Sequence, residues 1–176
     1  MRALADEDPD FDEIKEFIPP GIASFLDIGP GQGTQAALIH KMTGADIHIL
    51  DGAEKKAGKR MGYTDEEIEP WFDVNDTARS ISANTGANVH TYLPGDDLPA
   101  VDLYLSLHSW SFHYPLEVYY ERLLAVCRPR VGLIIDLRKR RLHTGAARRT
   151  LEKRFKLIAD DIGRDRKCER TVWQRR

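Results

Sequence analysis

The chain has 176 residues, 41% of them hydrophobic and 31% charged, with a net charge of −2, which is the size and make-up of one soluble globular domain over residues 1–176, able to bury a core. No apolar run approaches the roughly 20 residues that span a bilayer. The acidic start MRALADEDPDFDE lacks the apolar stretch of a secretory signal, and no Cys/His cluster has zinc spacing.

Cys127 and Cys168, the only cysteines, read as free structural thiols of a reducing compartment, so a cytoplasmic location is expected. The small net charge hides an asymmetry. Residues 1–120 carry 8 Lys/Arg against 21 Asp/Glu, and residues 121–176 carry 18 against 7. The basic part suits an anionic substrate, a nucleic acid or an acidic partner surface. The alternative is that the two parts neutralise one another within the fold.

Helical and extended patterns alternate from end to end, without repeats or low-complexity segments. Asp8-Pro9 opens a first helix within residues 1–20, with Asp8 as N-cap, an apolar stripe of Phe11, Ile14, Phe17 and Ile18, and a stop at Pro19-Pro20. Residues 23–28 (ASFLDI) form an apolar strand, 34–43 a helix closed by Gly44, and 46–50 (DIHIL) a second strand ending at Asp51. Residues 52–74 have no clear period and are long for a connection, which predicts a lid or substrate loop.

Asn75 is the expected cap of a helix running to Gly86. Residues 88–93 and 101–107 are the third and fourth strands, the latter apolar on both parities near its end, as in a buried parallel strand. Pro115 begins a helix with Leu116, Tyr119, Tyr120, Leu123, Leu124 and Cys127 on one face, and 130–137 is the fifth strand. A basic helix over 145–154 precedes two extended segments, 155–160 and 169–174, that read as an antiparallel hairpin at the sheet edge. The pattern predicts an α/β fold with a seven-stranded, mostly parallel sheet and a C-terminal antiparallel hairpin.

The strongest motif is Phe25-Leu26-Asp27-Ile28-Gly29-Pro30-Gly31-Gln32-Gly33-Thr34, a buried strand entering a glycine-rich turn and then a helix. Glycines let the backbone turn sharply and approach a ligand with no Cβ in the way. N–H groups at the helix start can then face the ligand. Asp51, ending the second strand, is placed to accept hydrogen bonds from both hydroxyls of a ribose, each worth about 1.5–3 kcal/mol to a charged acceptor. A dinucleotide fingerprint needs G-x-G-x-x-G, whose third glycine would fall at Thr34. The spacing here is G-x-G-x-G, and Asp27 would repel a pyrophosphate. It suits a cationic ligand with an ammonium group and no phosphate.

On these residues the sequence resembles the class I S-adenosylmethionine (SAM)-dependent methyltransferases, from Phe25 to the final hairpin. DIGPGQG matches the family's acid-x-G-x-G-x-G motif, ILDG matches its second motif, and the hairpin matches the end of its sheet. The resemblance implies a Rossmann-like three-layer sandwich, SAM as cofactor and methyl transfer as activity. It places Asp27, Gly29, Gly31, Gly33, Asp51 and Gly52 at SAM, with Asp51 on the ribose, and adds Ser106 at the end of the fourth strand. An acid after the family's third strand often binds the adenine amino group. Here Asp96 and Asp97 are offset by a residue or two, and apolar cover from Leu93 and Pro94 is the alternative.

Ligands of open α/β sheets bind beyond the carboxyl ends of the strands. There the fourth strand runs into residues 106–115 (SLHSWSFHYP). His108 and His113 are the candidates to take a proton from a hydroxyl acceptor, help typically worth about 10²–10⁴-fold. His113 is favoured because it opens the following helix. Trp110, Phe112 and Tyr114 are candidate walls for a sugar or aromatic ring. Arg138, first of the cluster Arg138–Arg141, is a candidate partner for an anionic group on the substrate.

The S-W-x-F-H-Y-P segment and the stretch GYTDEEIEPWFDVNDTA resemble sugar O-methyltransferases. The N-P-P-[YF] signature of amino-directed nucleic-acid methyltransferases is absent, which leaves ribose methylation open. Nothing in the spacing of Asp136 with Asp96 or Asp97 compels a metal site, so none is expected. The expected function is O-methylation of a small hydroxylated acceptor such as a sugar, with loops or a homodimer mate giving specificity. The alternatives are an RNA- or nucleotide-modifying methyltransferase that uses the basic C-terminal half, and a non-catalytic SAM-binding scaffold.

Overall fold

Strands form where the short apolar segments lie. The computed structural model describes residues 4–52, 72–113, 115–139, 144–165 and 167–176. In it β1 (Ser24–Ile28), β2 (Asp46–Leu50), β3 (Val89–Tyr92), β4 (Leu103–Ser106) and β5 (Gly132–Arg138) run parallel. With β6 (Phe155–Ala159) and β7 (Cys168–Arg175) they make one sheet in the order β3-β2-β1-β4-β5-β7-β6. β7 is antiparallel to both β5 and β6. The terminal hairpin is therefore threaded so that its second strand lies against β5 and its first takes the edge.

Side chains alternate across a strand, and both faces of the central strands are covered. Leu26, Tyr104, Leu133 and Trp173 pack on one side against α4 (Glu117–Val126) and α5 (Thr144–Glu152). Phe25, Leu103, Ile134 and Val172 pack on the other against α1 (Pro9–Ile14), α2 (Thr34–Thr43) and α3 (Val74–Thr85). This is the Rossmann-like α/β arrangement expected from the motif order.

Helix ends correct two details. α1 is capped by Asp8, whose carboxylate accepts from the N–H groups of Asp10 and Phe11, but it gives way after Ile14 to a 3₁₀ turn over Lys15–Phe17. α3 is capped by Asp73 rather than Asn75: the Asp73 carboxylate accepts from the N–H groups of Asn75 and Asp76, so Asn75 already lies in the first turn. Most of the expected loop over 52–74 lies outside the described residues. Both cysteines are free, and no described helix is long and apolar enough to cross a membrane.

Candidate functional site: a crevice at the carboxyl ends of β1, β2 and β4

The chain leaves β1 through Gly29, Gly31 and Gly33, which have left-handed φ values of 74°, 57° and 83°. The Gly29 N–H donates to the Leu50 carbonyl at 2.8 Å, fixing the turn to the end of β2. The Gly31 carbonyl accepts from the Thr77 hydroxyl of α3 at 2.8 Å. Gly33 is constrained twice over, since a Cβ there would lie 2.6 Å from Cγ1 of Ile81. Beside the turn opens a cavity of about 390 Å³, whose lining includes Asp8, Asp27, Gly31, Gln35, Leu107 and His108.

Two carboxyl groups lie near the turn, Asp27 on the cavity wall and Asp51 behind it, outside the cavity lining. Asp27 is only 3% exposed and lines the cavity, and its carboxyl has no hydrogen bond or ion pair among the described residues. Burial, aided by the Asp51 charge, pushes its pKa up to about 8. Asp51 follows β2, where its carboxylate accepts the Gly52 N–H at 2.8 Å. Burial lifts its pKa to about 6 against the opposing Gly52 bond. A buried carboxyl without a partner is costly, and a cationic ligand would relieve both groups. These residues therefore fit an ammonium-bearing nucleoside.

Across the cavity stands His108, in a left-handed backbone with φ 53°. Its N–H donates to Asp136 at 3.1 Å. Its ring lies among carboxylates: Nε2 is 3.6 Å from Asp10, and Nδ1 is 3.6 Å from Asp136 and 3.8 Å from Asp165. Arg170 also approaches Nε2, at 3.3 Å, and as a donor it favours an unprotonated nitrogen. The acids prevail: pairing with Asp10 raises the His108 pKa against the effect of burial, and Asp10 falls to about 2 chiefly through the same pairing.

Arg170 is wholly buried and donates to Asp136 and to Glu13 of α1. Donor atoms of His108, Asp136 and Cys168 lie within 4.8 Å of one another, yet the group does not fit a cation. Arg170 occupies both Asp136 oxygens, and burial pushes the Cys168 thiol to about 12, keeping it protonated.

The other candidates divide. Phe112 meets the rings of both His108 and His113 edge-on, and the Arg138 guanidinium lies 5.1 Å above it, so these four form one cluster, of which His108 lines the cavity. His113 is not among the residues lining the cavity, whereas His108 is. Ser106 departs from its expected role at the cofactor: its hydroxyl donates to the Ile28 carbonyl and accepts the Trp110 N–H, stapling β4 to β1. Trp110 departs likewise. It is fully buried, its Nε1–H donates to the Leu116 carbonyl, and it packs on Tyr119, so it supports the loop from within. Asp96 closes a tight turn with Leu93, each bonded to the other, and Leu93 is 41% exposed. Tyr114, Arg140, Arg141 and His143 lie outside the described residues, and Lys139 pairs with Asp161.

Asp10, Glu13 and Arg170 were not read from the sequence as site residues. The available signal was an arginine at the same strand parity as the apolar Cys168 and Val172, opposite an N-terminal helix rich in acids.

No protein-family model and no curated protein matches the chain. Solved structures do match. A SAM-dependent methyltransferase from Aquifex aeolicus superposes with a TM-score of 0.66 at 18% identity, covering 96% of this chain and 90% of that one. The chain has the fold of the class I SAM-dependent methyltransferases. A methyltransferase from Pyrococcus furiosus gives a TM-score of 0.63 at 13% identity, covering 94% of this chain and 80% of that one. Magnesium protoporphyrin IX methyltransferase from Synechocystis, solved with bound SAM, gives 0.61 at 14% identity, covering 95% and 78%. Within this methyltransferase fold, the glycine turn and Asp51 of the present chain lie at the carboxyl ends of β1 and β2.

Proposed function

We propose that the protein is a SAM-dependent methyltransferase that methylates a hydroxyl of a small acceptor such as a sugar. The observation that carries the reading is the Asp27 carboxyl, buried on the cavity wall near a three-glycine turn and lacking a protein partner among the described residues. Asp27 would hold the ammonium group of SAM, Asp51 would hold its ribose hydroxyls, and Gly29, Gly31 and Gly33 leave room for close backbone approach. SAM supplies an electrophilic methyl group. The chain's own work is to position the acceptor and take its proton.

His108 is the group placed for that proton, because it lines the cavity with Asp27. Phe112 and Arg138 pack behind His108 and extend the site beyond the cavity, with Arg138 the cation for an acidic substituent of the acceptor. The N-terminal segment narrows access, since Ala5 and Asp8 line the same cavity.

A thermal-shift panel tests the reading, because stabilisation grows as RT ln(1 + [L]/Kd). SAM and its demethylated product are expected to raise the melting temperature, with NAD and NADP without effect. Stabilisation by a dinucleotide and none by SAM would overturn it.

A further inference from the structure

Six basic residues lie on neighbouring backbone segments at the end of the sheet opposite the crevice. Gly132 pairs with Gln174 and Phe155 with Arg175, so the start of β5, the end of β7 and the start of β6 lie side by side. This sets Arg128 and Arg130, which precede β5, beside Arg175 and Arg176 of β7 and its end, and beside Arg154 and Lys156 at β6. Backbone bonds lock the arrangement: the Arg130 N–H donates to the Arg175 carbonyl and the Arg176 N–H to the Arg154 carbonyl, both at 3.1 Å.

The charge asymmetry of the sequence thus meets two fates. Near the carboxyl ends of the parallel strands Lys139, Arg148, Arg164 and Arg170 are paired with carboxylates, some of them from α1. At the opposite end none of the six makes an ion pair among the described residues. Basic residues set close along the strand ends without ion pairs give this end a positive surface, which suits a polyanion.

The surface also has a recess. Arg128, Pro129 and Arg130 face Pro19 and Pro20 across a cavity of about 310 Å³. Asp102, the one carboxylate lining it among the described residues, already accepts the N–H groups of Ala23 at 2.8 Å and Ser24 at 3.2 Å on one oxygen. Arg130 is held at φ 68°, a backbone that residues with a Cβ rarely adopt.

We propose that this row of strand ends docks the phosphate backbone of a nucleic acid. Neighbouring strands lie about 5 Å apart, so a row across three of them is longer than a single phosphate group needs. Phe155, the aromatic at its centre, is buried beneath the Arg175 guanidinium and offers no face for base stacking. The contact is therefore to the backbone and indifferent to base sequence. Because the row faces away from the glycine turn, it tethers the protein to the polynucleotide and does not deliver an acceptor atom. The inference is independent of the methyltransferase reading.

Fluorescence anisotropy with labelled oligouridylate, between about 50 and 200 mM salt, tests it. Binding is expected at low salt and is expected to fall steeply as salt rises. The triple reversal Arg128→Glu, Arg130→Glu, Arg176→Glu is expected to weaken it by more than about tenfold and flatten its salt dependence. Reversal of Lys41 and Arg79, on α2 and α3, is expected to leave it unchanged. Should the triple variant fail to fold, the single changes Arg128→Ala and Arg176→Ala are each expected to reduce the salt slope by about one ion. No RNA binding at low salt, equal binding by the reversed variant, or competition by polyglutamate as strong as by RNA would overturn the proposal. The last result would mark an acidic protein as the partner.

Discussion

The Arg170 guanidinium on β7 donates to both oxygens of Asp136 on β5, at 2.8 and 2.9 Å, with neither side chain exposed. The same guanidinium reaches Glu13 at 2.7 Å and Asp10 at 2.9 Å on α1. A cation from the last strand and acids from the first helix thus latch that helix beside the crevice. Removing one partner of a buried pair leaves an uncompensated charge. Arg170→Met is therefore expected to cost about 3–5 kcal/mol in chemical denaturation. A loss below about 1 kcal/mol would show that the latch contributes little.

Asp27 gives a pH signature. Its carboxyl titrates near 8 in the folded chain against an ordinary 3.8, so the folded state holds a proton that the unfolded state has lost. Its contribution to stability is fully present below about pH 4 and is lost as the pH rises through about 8. Asp27→Asn escapes that loss. The stability of the variant relative to wild type should grow by up to about 1.4 kcal/mol per pH unit across this window. Urea titrations at several pH values would measure it, and a pH-independent difference would contradict the burial of an ionisable carboxyl. SAM binding near neutrality should also release a proton from this group, seen as a binding enthalpy that varies with the ionisation enthalpy of the buffer.

His108 must be neutral to accept a proton, and Asp10 raises its pKa. The rate of methyl transfer should therefore climb with pH through a value above the ordinary 6.5 for histidine. Asp10→Asn removes the chief cause of the shift, so the rising limb of kcat/KM should move to lower pH. His108→Gln should lower turnover by about 10²–10⁴-fold with SAM affinity largely kept. A pH profile identical in wild type and Asp10→Asn would exclude the pairing from catalysis.

Two glycines of similar backbone separate conformation from contact. Gly44 has φ 72° with no described residue within 4 Å of where a Cβ would sit, whereas Gly33 has φ 83° and Ile81 at 2.6 Å from that position. Gly44→Ala should cost about 1–2 kcal/mol from the left-handed backbone alone. Gly33→Ala should add about 1–3 kcal/mol for overpacking against α3. Equal melting temperatures for the two variants would show that the turn is not pressed against that helix.

The elements that were legible in the sequence are those set by local pattern. α2 and β2 fall on their expected residues because a glycine closes the helix and an apolar segment bounded by Asp46 and Asp51 makes the strand. The glycine turn and Asp51 were legible for the same reason. Ser106 and Trp110 were not, because residues at and just beyond a strand end can face inward as readily as outward, and only the tertiary fold aims Trp110 at the Leu116 carbonyl. The Arg170 latch joins residues more than a hundred positions apart, a distance over which periodicity carries no information. Of His108 and His113 only His108 lines the cavity, and a helix-start argument carries no information on that.

The most direct test of the central claim, that this crevice holds SAM between the glycine turn and Asp51, is calorimetric titration of SAM into wild-type protein and Asp51→Ala. Two hydrogen bonds to a charged acceptor, each worth about 1.5–3 kcal/mol, lie behind the expected loss. Wild type should bind SAM, and Asp51→Ala should bind it more than about tenfold more weakly with its melting temperature preserved. Absence of SAM binding to the wild-type protein, or equal Kd values for the two proteins, would contradict the claim.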